Sequence, residues 1–400
     1  MKVRVLFLPL VLILSAFLGT QVALGAITTV EIGANAEIRI NGEPFLPIML
    51  WLQSDERIAD GLAIGVNTFT GNGSRLSNAA YLDALKEADL YGVVEFDPTV
   101  IGHSHLLGWI HRDEPDLPGD QLFAGLKMPR MSVDEVAAVY QKIKQADPAR
   151  PVFLTLTAQF MKEMNQNYSP SQKERIYPGM VQQTDVIGFD IYPIYGWNRP
   201  EWLYRVADGV TELRALAGEG KPIYAWIETN KGSLAISAAN QLPVTPQDTR
   251  AEVWMALIRG ATAIGYFTHS WVPTYTQFAP GAEMVAALRQ LNERITRLAP
   301  ALLADPASDV VDMKMEPTLA CHYKQTKLNG ELWIFAQNID MSRQAGQATF
   351  HVPGLPAGTV IEVVDESRTI IAEKGEFTDY FSGLAEHVYR INKYQKEETK

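Results

Sequence analysis

The chain has one cysteine, Cys321, in 400 residues. That excludes an intrachain disulfide framework and any zinc site built on clustered thiolates. Basic runs are missing too: 35 Lys and Arg stand against 46 Asp and Glu, for a formal charge of −11. An acidic chain without a basic stripe lacks the electrostatic footprint of a nucleic-acid binder, and its charge speaks to solubility. No heptad pattern and no glycine at every third position occurs, which removes coiled coil and collagen. Beyond the N-terminal stretch no apolar run approaches the roughly 20 residues that span a bilayer, so stable membrane insertion is not expected. With 47% apolar and 20% charged residues, disorder is excluded. The length asks for two or three domains, or one large barrel with an appendage.

Residues 1–26 read as a secretory signal peptide. Lys2 and Arg4 form a basic head, Leu6 to Leu18 an apolar segment too short to span, and Ala23, Gly25 and Ala26 a small-residue cleavage region. Without a cysteine near that point a lipoprotein anchor is excluded. The expected product is a secreted or periplasmic acidic protein.

A short entry segment, Val30 to Pro44, reads as a hairpin around Asn41-Gly42. A strand-helix alternation follows. Apolar strands are expected at 45–51, 66–69, 93–96, 107–110, 151–156, 186–192, 222–228 and 263–268. Helices are expected at 55–64 and 78–91, from Ser132, around Leu203 to Leu213, from Thr245-Pro246, and from Met284 to Leu298. Ser132-Val-Asp-Glu135 is a capping box, and Pro246 takes its preferred first helical position. Only about ten residues separate the third and fourth strands, room for a single helical turn near Ile101 to His105. Eight strands that are continuous apolar runs, as sheets covered on both faces require, point to an α/β fold, a (β/α)8 TIM barrel over residues 27–304. A doubly wound sheet is disfavoured because no Gly-x-Gly-x-x-Gly turn follows any strand.

From Pro306 the pattern becomes short alternating strands punctuated by Asn329-Gly330 and Pro356-Ala-Gly358. A small C-terminal antiparallel β-sandwich is expected over 305–395, with Lys393 to Lys400 frayed.

In a barrel of this kind the chemistry lies at the C-terminal strand ends. Strand four ends in Asp113-Glu114-Pro115, strand six in Asp190-Ile-Tyr192, strand seven in Glu228-Thr-Asn230, strand eight in His269-Ser-Trp271 and strand one in Trp51. Two glutamates closing apolar strands, among aromatic residues, suit glycoside hydrolysis. One carboxyl group stays protonated to serve the leaving oxygen, the other ionised to attack or activate water, and rings stack on sugar faces.

The motif Gly108-Trp-Ile-His-Arg-Asp-Glu-Pro115 resembles the strand-four signature of the clan A glycoside hydrolases, the retaining (β/α)8 enzymes, and Trp226-Ile-Glu-Thr-Asn230 resembles their strand-seven signature. The likeness covers roughly residues 45–300. It implies Glu114 as acid/base and Glu228 as nucleophile, acting without cofactor or metal on a β-linked oligo- or polysaccharide. Asp113 departs from the asparagine most common before the acid/base; it can still accept from a sugar hydroxyl and adds a negative charge beside Glu114. By the same likeness Tyr192 would donate to the nucleophile, Trp271 and Trp51 would be sugar platforms, and Asn230 and His269 hydroxyl contacts. Each of these five also reads as a packing residue. Arg112 and Asp190 are expected to form a charge network in the barrel mouth.

Two other readings are open. An aromatic cleft without catalysis would make a carbohydrate-binding barrel. His103, His105 and His111 near Asp113 and Glu114 raise a metallohydrolase, but barrel metallohydrolases of the amidohydrolase type carry their His-x-His on strand one, where this chain has none.

Overall fold

The computed structural model describes residues 24–123, 126–164, 167–310 and 312–392. The expected signal peptide, save Leu24 to Ala26, and the charged tail from Lys393 lie outside the described residues. Of those three, Gly25 accepts a hydrogen bond from Tyr91 Oη (2.7 Å).

The entry segment forms three strands, not two. β1 (Val30–Ile32), β2 (Ile38–Ile40) and β3 (Glu43–Phe45) make an antiparallel sheet. Its Ile38 and Ile40 join the lumen side chains Met49, Tyr91 and Val93 in one apolar cluster, which stoppers the N-terminal end of the barrel.

Eight parallel strands close on themselves: β4 (Ile48–Gln53), β5 (Thr68–Asn72), β6 (Tyr91–Glu95), β7 (Leu106–Ile110), then, after a hairpin of β8 (Pro118–Phe123) and β9 (Leu126–Pro129), β10 (Val152–Thr157), β11 (Val186–Asp190), β12 (Ile223–Glu228) and β13 (Ala263–Phe267). Successive side chains serve two cores. Met49, Val93, Leu107, Phe153, Tyr224 and Trp226 fill the lumen, while Ile48, Leu50, Leu154, Ile187, Ala225 and Ile227 lie beneath the helices. Both faces are dry, so the strands read as unbroken apolar runs. Gly188 and Gly265 make room for the large lumen rings: a Cβ on either would sit 2.1 Å from Tyr224 or Trp226. Thr155 satisfies the polar ends of both, 2.8 Å from Tyr224 Oη and 3.1 Å from Trp226 Nε1.

The helices are α1 (Ile58–Ile64), α2 (Asn78–Glu87), α3 (Val133–Ala146), α4 (Pro170–Gln182), α5 (Pro193–Trp197), α6 (Arg205–Ala217), α7 (Pro246–Ile258) and α8 (Ala282–Leu302). Ser132 and Glu135 cap α3 reciprocally, as do Thr245 and Asp248 on α7. The Met284, Leu288, Leu291, Ile295 and Leu298 stripe of α8 is buried. The third βα connection holds a three-residue 3₁₀ turn, Pro98–Val100, a little earlier than expected. Sequence reading passed over α4, whose interior Pro178 interrupts the helical signal.

The tail forms two facing sheets. β14 (Asp305–Pro306), β16 (Cys321–Leu328), β17 (Glu331–Asn338), β19 (Val360–Val363), β20 (Arg368–Ile371) and β22 (Glu386–Ile391) make the larger; β15 (Asp312–Glu316), β18 (Gly346–His351) and β21 (Glu376–Phe381) the smaller. Met313, Ile334, Phe350, Ile361, Phe377 and Tyr389 pack between them. The other face of the larger sheet docks on the barrel: Trp333, Phe335 and Val388 share the helix-side core with Trp254 of α7. Arg250 of α7 and Arg294 of α8 converge on Glu386, and Arg343 pairs with Asp248. No helix among the described residues is long and apolar enough to cross a membrane.

Candidate active site

After β7 the chain turns sharply. Glu114 sits at φ 47°, a left-handed conformation that costs a side-chain-bearing residue of order 1 kcal/mol. The turn is held from both sides: Leu117 N donates to Glu114 O (3.0 Å), and Met131 N to Pro115 O (2.9 Å). Asp116 clamps it to the next strand. Its buried carboxylate accepts from Thr157 N (2.9 Å) and Thr157 Oγ1 (2.7 Å), and burial pushes its carboxyl up to about 7.

This turn brings three carboxyl groups together at the rim. Asp190, closing β11, is in hydrogen-bonding contact with Glu114; burial and then the charge of Glu114 hold its carboxyl well above the usual carboxylate range. Asp113 is pushed up to about 7 by burial and by Glu114, with Arg130 pulling the other way. Arg130 follows β9. Its guanidinium is 3.9 Å from Glu114 Oε2 and donates to Asp113 O at 3.1 Å. The expected partnership of Arg112 with Asp190 does not form: Arg112 is exposed and makes no ion pair among the described residues. Arg130 takes its place, carried in by a hairpin that sequence spacing does not locate. Asp190 and Asp113 are therefore the members of this cluster whose surroundings favour the protonated form.

Glu228 lies at the same end of the barrel, on β12, in different surroundings. Its side chain is wholly buried. Oε1 accepts from Ile194 N (2.9 Å) and Oε2 from Tyr195 N (2.6 Å), so it caps the first turn of α5, whose own N-cap residue, Tyr192, offers no side-chain bond. Behind it lies Glu252 of α7, also fully buried. Burial, opposed by the two amides, raises the Glu228 carboxyl. Thr249 Oγ1 donates to the Glu228 carbonyl (2.9 Å) and ties α7 to the strand end.

An aromatic wall runs between these groups. Tyr192 stacks on Phe267 (centroids 4.8 Å), and Trp51 meets Phe267 at 5.5 Å and His269 at 4.9 Å. Trp271 and Tyr275 continue it, 4.9 Å apart, with 40% and 50% of their surfaces open. Gly232 fixes this end. At φ 128° it accepts from Trp271 N (2.8 Å), and a Cβ there would lie 2.0 Å from Ser270 Oγ.

Of the residues expected here, Glu114, Asp113, Tyr192, Trp51 and Trp271 border this rim. The charged groups acting on Tyr192 are Asp190, Glu114 and Asp113. His269 is fully buried behind the wall. Asn230 spends its amide on Lys231 O (2.9 Å) and His269 O (3.0 Å). His103 and His105 stay together, His105 N donating to His103 Nδ1 (3.2 Å), with His103 meeting Asp83 (3.3 Å) and His105 packing by Tyr91 (5.5 Å), while His111 lies 3.3 Å from Val136 O. No group of three or more metal-ligating side chains occurs among the described residues. Sequence reading missed Arg130, Glu252, Phe267 and Tyr275. The last two lay in view, flanking His269-Ser-Trp271 on the predicted active rim.

No family model matches the chain, and no curated protein matches it. Solved structures share its fold. A glycoside hydrolase family 5 protein from Bacteroides vulgatus superposes with TM-score 0.53 at 11% identity, over 92% of this chain and 96% of that one. AmyP in complex with maltose gives 0.50 at 8% identity, over 84% and 89%. Against the GH2 β-galacturonidase from Eisenbergiella tayi the TM-score is 0.46 at 13% identity, and the chain spans 54% of that protein's length. At such identities the likeness is one of fold.

Proposed function

We propose that the chain is a secreted glycoside hydrolase that cleaves a β-linked glycan with Glu114 as acid/base and Glu228 as nucleophile. The observation that carries this reading is the Glu114-Asp190-Asp113 carboxyl cluster standing beside the Trp51-Phe267-Tyr192 wall at the C-terminal rim. A protonated carboxyl group presented next to an aromatic surface is what protonation of a glycosidic oxygen needs. Fold likeness to glycoside hydrolases of several families supports it. In this reading Glu228 acts once the first turn of α5 lifts from it.

The test is hydrolysis of β-glucans, galactans and aryl β-glycosides by the wild type, Glu114→Gln and Glu228→Ala. Cleavage of at least one substrate, lost by about 10²–10⁴-fold in Glu114→Gln, is expected. Azide should rescue Glu228→Ala and yield an α-glycosyl azide. Full activity in Glu228→Ala would overturn the nucleophile assignment. Export predicts a mature N-terminus near Ala26, read by N-terminal sequencing.

The sealed carboxylate of Glu228 favours a second reading, a carbohydrate-binding barrel in which that residue only caps α5. It predicts saturable glycan binding, weakened in Trp271→Ala, with no hydrolysis of any substrate.

A further inference from the structure

At the end of α7 remote from the rim, the barrel and the sandwich border an open crevice of about 480 Å³ lined by Ile258, Arg259, Ala307 and residues 321–325 of β16. β16 alternates. Thr326 turns to the barrel, donating to Ala301 O (2.7 Å), and His322 and Lys324 share its parity. They therefore face Arg259 at the α7 C-terminus, with Arg214 of α6 close enough to act on Lys324.

Four basic side chains from two domains thus converge in a protein of net charge −11. None of Arg214, Arg259 and Lys324 forms an ion pair among the described residues, although 21 other close charge pairs occur there. Arg214 spends its guanidinium on carbonyls, including Gly260 O (3.1 Å). Arg259 gives only Nε away, to Thr211 Oγ1 (2.9 Å). His322 Nδ1 is shut off from water with no partner among the described residues. The Lys324 ammonium has no hydrogen-bond partner among the described residues, and burial followed by the Arg214 charge pulls it down to about 8. Asp208 acts on Arg259, and Glu219 on Arg214, through space without pairing. Burial and the Arg259 charge pull the His322 imidazole down to about 4, so it enters as a neutral ring, and Arg259 is exposed. The cost falls on the Lys324 ammonium held beside two guanidinium groups, and an anion among them reverses the sign of each interaction.

We propose that this interdomain crevice binds a small tetrahedral oxyanion, of the phosphate or sulfate class, between Arg259, Lys324 and His322. The guanidinium offers free paired donors, the ammonium a point charge and the imidazole a further hydrogen-bond position. Bound there, the anion ties β16 to the end of α7 and stabilises the docked sandwich.

The test is isothermal titration of the full chain at constant ionic strength with inorganic phosphate, sodium sulfate and a sugar phosphate in separate arms. Chloride serves as the control, and melting in chloride verifies that each variant is folded. Saturable one-to-one binding of phosphate or sulfate is expected, weakened roughly tenfold or more in Lys324→Met and in Arg259→Gln, the loss of one charge-assisted contact each. The arms distinguish a free ion from an esterified one. Absence of saturable binding in all arms overturns the proposal, as does unchanged affinity in both variants. Should Lys324→Met not fold, Arg259→Gln alone decides.

Discussion

Glu252 on α7 meets Glu228 at the end of β12 carboxyl to carboxyl, and neither oxygen of Glu252 has another partner among the described residues. Two buried carboxylates in contact cannot both be ionised, so the pair holds a proton. The amides of Ile194 and Tyr195 favour the charge on Glu228, which leaves the proton on Glu252. Burial first, and Glu228 second, accordingly hold Glu252 far above the usual carboxylate range.

This makes stability depend on pH. Both carboxyls are raised in the folded chain, so above the unfolded value of about 4.3 the native state binds more protons than the unfolded one. The contribution of the pair is most favourable below that value and is lost as pH rises toward the folded ones. Asp248, which also raises both, is paired with Arg343 and adds to the same trend. Glu252→Gln replaces the proton by a permanent amide donor. Melting curves between pH 5 and 8 should show Tm falling with pH in the wild type and falling less in the variant. Equal slopes would refute the shared proton.

Asp190 meets Glu114 in a second carboxyl contact, at the open rim. Burial first, and then the contact with Glu114, raise the Asp190 carboxyl and favour its protonated form. Asp190→Asn gives Glu114 a permanent donor and favours its ionised form. For an enzyme using Glu114 as acid, the alkaline limb of kcat/KM should move to lower pH, while the melting temperature changes little. A profile identical to the wild type would separate Asp190 from the acid.

Trp271 stands 40% exposed beside Tyr275. Covering roughly 60 Å² of such a ring with a sugar face is worth about 1.5 kcal/mol, close to tenfold in affinity. Trp271→Ala should raise KM, or the glycan Kd, by about that factor with kcat nearly unchanged. Because the backbone contact to Gly232 survives the substitution, the fold should too. A fall in kcat alone would assign Trp271 a different part.

The barrel was legible because each strand buries two faces. Ile48-Met-Leu50 and Val152-Phe-Leu154 have no polar residue to interrupt them, and the stripe on α8 repeats at helical spacing. β21 is harder to read, because a buried Asp379, clasped by Arg368 at 2.7 and 2.8 Å, stands where alternation alone expects an apolar side chain. Strand-end position located Glu114 and Glu228. It said nothing of what each would touch, since Ile194, Tyr195, Asp190 and Glu252 come from other parts of the chain, and Arg130 arrives on a hairpin whose register no local pattern sets. Placement along a strand is a local property; the surroundings of a carboxyl group are not.

Glu386 carries the docking of the sandwich onto the helices behind Glu228. Its side chain is buried and receives Arg250 Nε at 3.0 Å and the guanidinium of Arg294, which in turn lies over the Trp254 ring at 5.2 Å. Trp254 stacks on Phe335 of β17, so one carboxylate links charge and ring contacts in this part of the interface. Removing one member of a buried pair strands its partners, at a cost of about 3–5 kcal/mol. Arg294 keeps a second acceptor in Asp365 (3.2 Å), which places Glu386→Ala toward the lower end of that range. Urea unfolding should show the midpoint drop with the slope retained if barrel and sandwich unfold together. A loss under about 1 kcal/mol would mean that the apolar contact of Trp254 with Phe335 holds the domains by itself, and Phe335→Ala should then produce the larger effect.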